Sequence, residues 1–324
     1  MFHFCTLFDH NYLTRPLVLF DSILEQTQAF RFYTLCTSNR AFKEIERLAE
    51  KYPQFVALDL EQLESRYPEL LEAKANRSPI EYYFTLSPVL PLHVMDVFQP
   101  DVVTYLDADL CFYSHPGILF DELGENSSLL TEHRFSRNIA HFIKWGRFNV
   151  QYESFRNDQQ GRACITRWRD QCLDWCYDRV DGNRFADQGY LDEWSDLYSK
   201  LVVSQRKTAG VALWNVSDVE IGLSHDKANF TIDGEPLVFF HFHSFKHLYK
   251  SLFVCDFSEY KVDPRKPLLM AVYQDYIRRL NGVAEKYGVD PRHTFANYRS
   301  RVPVILQLLK QAIKGNLIRT SGES

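Results

Sequence analysis

The sequence predicts an α/β fold, a mainly parallel central sheet with helices on both faces, followed by C-terminal helices. Three observations carry this expectation. Short apolar runs of strand length alternate with helical periodicity through the first hundred residues. The 324 residues are 45% hydrophobic and 15% aromatic, which suits a well-packed core. Beyond residue 265 two long helical patterns dominate.

Taken in order, "FHFCTLF" (2–8) is an aromatic and β-branched run, so the first strand begins almost at residue 1. "RPLVLFDSILEQT" (15–27) has helical spacing, "FRFYTLCT" (30–37) is the second strand, "RAFKEIERLAEKY" (40–52) the next helix and "FVALDL" (55–60) the third strand. Residues 77–98 are apolar but punctuated by Pro79, Pro88 and Pro91, which predicts helix in pieces. Val102–Tyr105 forms a fourth, buried strand. Strands follow at 128–133 and within 146–157, then a helix over 161–180, a shorter helix over 184–198 and a strand over 201–205. The segment 235–246 has an intensely apolar core with two histidines. The last two helices cover "PLLMAVYQDYIRRLNGVAEKYG" and "RVPVILQLLKQAIKGNLIRT".

Composition removes several classes of protein. A net charge of −5 argues against a general nucleic-acid binder. No run approaches eighteen apolar residues, and no basic, apolar and small-residue leader pattern opens the chain. The seven cysteines, odd in number and mostly among apolar neighbours, suit reduced thiols in a cytoplasmic protein. Cys172 and Cys176 are spaced to share a helix face, which small buried side chains explain. G-x-G-x-x-G, G-x-x-x-x-G-K-[ST] and G-x-S-x-G are all absent.

Asp107 and Asp109 follow the fourth strand with one residue between them. Carboxylates are costly to bury unless paired, hydrogen-bonded or bound to metal. Two apart in extended chain, they point to one side, at the strand end where open parallel sheets bind ligands. A pair on a polar turn suits a hard divalent cation that also takes phosphate oxygens; a solvated strand-end turn has the same spacing. His241 and His243 repeat the pattern on another apolar strand. Two carboxylates with an imidazole favour a transition ion such as Mn²⁺ over Mg²⁺ or Ca²⁺, while one core and one surface histidine is the alternative.

The segment "VVTYLDADLCFYSHPGILF" resembles the D-x-D region of GT-A glycosyltransferases, particularly those of family 8. Further segments match in the same order: "FCTLFDHNYLTRPLVLFDSI" (4–23) is similar to the opening strand, nucleotide-contacting turn and helix. "FNVQYESFRN" (148–157) resembles the segment with an asparagine facing the donor sugar, "FADQGYLDEW" (185–194) the D-Q motif, and "FFHFHSFK" (239–246) the strand bearing the third metal ligand. Together they span residues 2–250.

The resemblance implies a Rossmann-like GT-A catalytic domain over 1–255 with a helical extension over 256–324. It implies sugar transfer from a nucleotide-diphosphate donor, UDP-linked by preference, to a glycan or glycolipid, with retained configuration. Asp107 and Asp109 would hold a divalent metal (Mn²⁺, or Mg²⁺), with His241 or His243 as third ligand. Asp9, Asn11 and Tyr12 would lie near the nucleoside, Tyr12 able to stack on a base. Asn149, Asp187 and Gln188 would face the sugar, and Lys246 the diphosphate. Without the resemblance, "ADQ" also reads as a helix cap. Asp187, Glu153 and Asp158 are the acids available as a general base.

Two departures from the family 8 pattern stand out. "HFHSFKHLYK" replaces H-x-x-G-x-x-K-P-W, leaving open which histidine ligates and whether Lys246 or Lys250 reaches the diphosphate. "FNVQ" replaces N-x-G. The alternatives to a transferase are a sugar-nucleotide or glycan-binding protein without turnover, and a metal-dependent phosphohydrolase, although the D-x-D pair follows the fourth strand rather than the first. Arg292, Arg299, Arg301, Lys310, Lys314 and Arg319 make the C-terminal segment basic among apolar residues. Such a helix can lie on an anionic membrane surface at the inner leaflet, or dock with its basic face solvated.

Overall fold

The computed structural model describes residues 1–249, 251–289 and 304–319. Strand β1 (Phe2–Phe8) leads to α1 (Thr14–Leu24), β2 (Phe30–Cys36), α2 (Asn39–Ala49) and β3 (Phe55–Asp59). Ser38 caps α2 by accepting from the Ala41 N–H, and Asp59 caps α3 (Leu60–Arg66) through the Gln62 N–H. Helix α4 (Glu69–Asn76) precedes α5 (Pro79–Phe98), then β4 (Val102–Leu106), β5 (Leu110–Phe112), α6 (Gly117–Leu123), β6 (Ser128–Leu130), β7 (Tyr152–Arg156) and α7 (Gln159–Asp174). Helices α3 and α4 were not foreseen.

The main sheet has the order β3-β2-β1-β4-β7-β6-β8, where β8 is Leu201–Val203. β1 runs parallel to β2 and β4, and β2 to β3. β7 is antiparallel to both β4 and β6, and β6 is parallel to β8, so β7 alone opposes the rest. The period-two alternation of the strands divides their side chains between two cores. Phe4, Phe32 and Tyr152 enter one with α1 and α2. Cys5, Tyr33, Tyr105 and Phe155 enter the other with α5 and α7. The sheet is covered on both faces, as expected.

Helix α5 corrects the expectation of pieces. Pro79 occupies its first turn behind a Ser78–Glu81 capping box, while Pro88 and Pro91 lie inside one continuous twenty-residue helix. Each internal proline costs roughly 3 kcal/mol or more. Burial of Tyr82, Leu86, Val89, Leu90, Val94 and Met95, at roughly 1.5–3 kcal/mol per apolar side chain, outweighs that cost.

Helix α7 stops at Asp174, six residues short of the expectation, because Trp175 turns to extended backbone (φ −147°). There its carbonyl accepts from the Tyr190 hydroxyl at 2.6 Å, and Cys176 is buried beyond the helix rather than on a shared face. The helix expected over 184–198 is a 3-10 segment (Gln188–Glu193) followed by the single turn α8 (Trp194–Leu197).

A second sheet positions the site: β13 (Phe239–His241) lies between β5 and β9 (Ala209–Val211), antiparallel to β5 and parallel to β9. Between β9 and β13, β10 (Ile221–Leu223), β11 (Phe230–Ile232) and β12 (Glu235–Pro236) form a small antiparallel sheet. After it come β14 (Lys246–Tyr249), β15 (Leu252–Val254) and α9 (Pro267–Tyr287), which packs Tyr273, Tyr276 and Leu280 into the α1 core. Arg279 pairs with Glu25 and Lys286 with Asp21 across that contact.

Helix α10 (Val304–Ile313) ends at Gly315 (φ +72°), where the left-handed backbone favours glycine. The expected helix over 301–320 therefore gives way to strand β16 (Leu317–Arg319), antiparallel to β15. Lys310, Lys314 and Arg319 are exposed; Arg292, Arg299 and Arg301 lie outside the described residues. Among the described residues no helix is long and apolar enough to cross a membrane, and all seven cysteines are buried and free.

Candidate active site

The site forms where β4 turns into β5. The strand ends at Leu106, and Asp107, Ala108 and Asp109 make a tight turn rather than the extended chain expected. The Leu110 N–H reaches the Asp107 carbonyl at 3.4 Å, and the Asp107 N–H donates to the Gln151 carbonyl at 3.0 Å. Strand β13 then lines up on β5 with His241 opposite Leu110, and the Phe242 N–H donates to the Asp109 carbonyl at 3.0 Å. The sheet register thus delivers His241 to residues more than a hundred positions earlier.

His241 Nε2 lies 3.0 Å from Oδ1 of Asp109 and 3.7 Å from Oδ2 of Asp107. One ligand atom from each of the three residues falls within 4.8 Å of the others. For metal–ligand bonds of about 2.1 Å, neighbouring donors of an octahedron lie roughly 3 Å apart. The residues present therefore fit a divalent cation.

The two aspartates are unequal. Burial pushes the Asp109 carboxyl up, but the charge and hydrogen bond of His241, then His243 and the Tyr12 hydroxyl, outweigh it and hold Asp109 below the usual range. Burial, then the charges of Asp109 and Asp187, raise Asp107 well above it. A cation held by the three residues would offset the shift at Asp107 by supplying positive charge.

His243 sits beside His241, ring centroids 5.8 Å apart, and outside the three-residue cluster. Burial, then the charge of His241, pushes it down to about 4. Lys246 is exposed at the start of β14, close enough to His243 to disfavour its protonation. Lys250 lies outside the described residues.

The turn after β1 supplies Asp9, Asn11 and Tyr12. Both Asp9 oxygens accept from Asn11, at 2.9 Å from its N–H and 3.0 Å from Nδ2, closing an Asx turn. The Tyr12 hydroxyl donates to Oδ2 of Asp109 at 2.8 Å. One face of its ring carries the Arg15 guanidinium, 4.0 Å from the centroid, so that face is closed to a base. Arg15 itself is buried and donates to the Phe245 carbonyl at 2.7 Å. It ties α1 to the chain just past His241, and sequence reasoning missed it because a helical arginine reads as surface.

A second acidic group lies behind the first. Ala186 adopts φ +46° and presents Asp187, whose carbonyl accepts from Trp168 Nε1 at 2.8 Å. The Asp187 carboxyl makes no capping bond, which removes the cap reading of "ADQ". Burial pushes it up to about 7. Glu153, opposite Tyr105 in the sheet, is fully buried with neither carboxyl oxygen partnered. Burial, then the charges of Asp107 and Asp187, raise it well above the usual range.

Asn149 Nδ2 lies 2.9 Å from His133 Nε2 and 3.5 Å from Gln188 Oε1, while Gln188 Nε2 donates to the Trp145 carbonyl at 2.6 Å. Asp158 falls at the far end of β7 and caps α7 through the Gly161 N–H at 2.8 Å. That removes it as a general base.

The architecture is that of the GT-A fold. It is similar to that of galactosyltransferase LgtC in complex with donor and acceptor sugar analogues, with a TM-score of 0.53 at 13% identity over 86% of this chain and 95% of that one. The apo form of glycosyltransferase GlyE from Streptococcus pneumoniae TIGR4 aligns with a TM-score of 0.50 at 16% identity, over 88% of this chain and 63% of that one. No family model matches the sequence. Uncharacterized protein YfnD of Bacillus subtilis (strain 168) is 30% identical over 284 residues, 86% of this chain and 88% of YfnD. Uncharacterized protein YfnF of the same strain is 27% identical over 252 residues, 75% of this chain and 81% of YfnF. The chain belongs to the family of YfnD.

Proposed function

We propose that this protein is a metal-dependent glycosyltransferase that moves a sugar from a nucleotide-diphosphate donor, UDP-linked by preference, to a glycan or lipid-linked glycan acceptor. The observation that carries this reading is the Asp107–Asp109–His241 cluster at the carboxyl end of β4, the end where ligands bind in open sheets. The fold shared with LgtC, whose structure holds donor and acceptor sugar analogues, supports it.

A divalent cation at the cluster, Mn²⁺ for the donor set given, supplies Lewis-acid neutralisation of the leaving diphosphate. Lys246 adds positive charge on that side, and Asp9, Asn11 and Tyr12 line the nucleoside side. Asn149 and Gln188 orient sugar hydroxyls. Asp187, with its carboxyl near 7, can hold or release a proton at neutral pH and faces the reaction centre. In this reading the anomer is retained. The exposed Leu306, Leu309 and Ile313 with Lys310 on α10, and Lys314 just after it, suit contact with an anionic membrane at its cytoplasmic face, where a lipid-linked acceptor of surface polysaccharide synthesis would lie.

The test is thermal unfolding with UDP and Mn²⁺, then GDP and Mn²⁺, each repeated with EDTA and in Asp109→Asn. A ligand at about a hundred times its dissociation constant adds roughly 2.7 kcal/mol, a rise of several degrees. A metal-dependent rise with one nucleotide, lost in Asp109→Asn, supports the donor site; no rise with any nucleotide removes it.

A further inference from the structure

We infer that Gln151 is the positioning residue of the metal site, holding a proton on Nδ1 of His241 so that Nε2, the ring atom at the two aspartates, is the one left to bind a cation. This rests on the metal reading above and assigns a role to the position at which the sequence departs from N-x-G. Gln151 is fully buried. Its Oε1 lies 3.0 Å from His241 Nδ1, and its Nε2 donates to Thr131 Oγ1 at 3.2 Å. An amide oxygen can only accept, so Nδ1 carries the proton in this pairing. A neutral imidazole protonated at Nδ1 has its lone pair on Nε2, the atom that faces Asp107 and Asp109.

The amide has little freedom to turn elsewhere. Gly210 (φ +79°) passes so close that a Cβ built there would stand 2.4 Å from Gln151 Nε2. The glycine therefore makes the room in which the amide lies. The main chain of Gln151 acts on the same site, because its carbonyl accepts from the Asp107 N–H at 3.0 Å. One residue thus sets the turn that carries the carboxylates and the ring that completes the cluster. A rotated amide would turn its NH₂ on Nδ1, move the ring proton to Nε2 and close the site to a cation.

The experiment uses the full chain with ¹⁵N-labelled histidine, and Mn²⁺ alone as the probe. Ring ¹⁵N–¹H correlations in EDTA at mildly alkaline pH, assigned with His241→Gln, are expected to show His241 protonated at Nδ1. Mn²⁺ titration followed by the electron paramagnetic resonance of the free ion is expected to show about ten- to a hundredfold weaker binding in Gln151→Met. Gln151→Glu, which keeps an acceptor in place, restores binding. Thr131→Val, which loosens the amide without touching a ligand, reproduces part of the loss should Gln151→Met fail to fold. Wild-type Mn²⁺ affinity in the folded Gln151→Met or Thr131→Val variant, with Asp109→Asn abolishing binding, overturns the assignment and leaves the metal reading intact. A wild-type chain that binds no Mn²⁺ overturns the metal reading instead, and the ring spectrum then decides: a His241 without a proton on Nδ1 overturns the role of Gln151.

Discussion

The Tyr12 hydroxyl donates a 2.8 Å hydrogen bond to Oδ2 of Asp109, joining the turn after the first strand to the turn after the fourth. With Oδ1 facing His241 Nε2 at 3.0 Å, both oxygens of one carboxylate are oriented before any ligand arrives. A buried bond from a hydroxyl to a charged carboxylate contributes roughly 1.5–3 kcal/mol.

Tyr12→Phe keeps the ring and its Arg15 contact and removes only that bond. We expect Mn²⁺ affinity to fall about tenfold, as for other groups that orient a metal ligand, and the metal-free protein to lose roughly 1.5–3 kcal/mol in urea unfolding. An unchanged Mn²⁺ titration would show that Asp109 holds its orientation without the tyrosine.

Asp187 sets a pH dependence of known sign. Its carboxyl stands at about 7 in the folded chain against the ordinary 3.8 of an aspartate. Between those values the folded protein keeps a proton that the unfolded chain has released, so stability falls as pH rises across the window. Above pH 7 the loss is complete. His133, pushed down to about 3 by burial, and His243, pushed down to about 4, act in the opposite sense over much of the same range. The difference between wild type and Asp187→Asn, measured in EDTA, isolates the carboxyl. It should fall by up to about 1.4 kcal/mol per pH unit between roughly pH 4 and 7 and level off beyond. A difference that stays flat contradicts the assignment.

Glu153 invites a stabilising substitution. A buried carboxyl with neither oxygen partnered costs on the order of 1–3 kcal/mol, and leucine is close in size. Glu153→Leu should raise the thermal midpoint of the metal-free protein by a few degrees. A fall would mean that the carboxyl is satisfied by a group such as a buried water.

Gly161 tests the wedge between β7 and α7. A Cβ there would meet the Arg156 carbonyl at 2.0 Å and the Ser127 carbonyl at 3.0 Å, both main chain. Gly161→Ala should destabilise by about 3 kcal/mol or more, within the range of severe packing defects, read as a lowered urea midpoint. Near-wild-type stability would mean that the two segments separate easily.

Much of this was legible in the sequence. Six strands of the main sheet, from Phe2–Phe8 to Leu201–Val203, fall where their apolar runs stand, because a buried strand needs little more than an apolar run of the right length. The pair Asp107 and Asp109 was visible because acids at the end of such a run are costly. His241 and His243 were equally conspicuous, but the choice between them depends on register: His241 pairs with Leu110, and no local pattern encodes a partner so far away. Arg15 and Gln151 act by placement alone, and their residue types carry no signal. The unbroken α5 escaped because the local cost of Pro88 and Pro91 is visible and the packing that offsets it is not.

The pairing of β5 with β13 also sets a timetable. A chain growing from its N-terminus makes both aspartates long before it makes His241, and N-terminal segments generally fold first. Until β13 arrives, the nascent protein holds two acids at a strand end and no completed cup for a cation. The last piece also brings Phe239 onto Phe112 and Tyr152, so completion of the ion's ligand set and of this part of the hydrophobic core coincide. A released fragment ending before residue 239 would lack the third ligand and hold a cation only through the two aspartates.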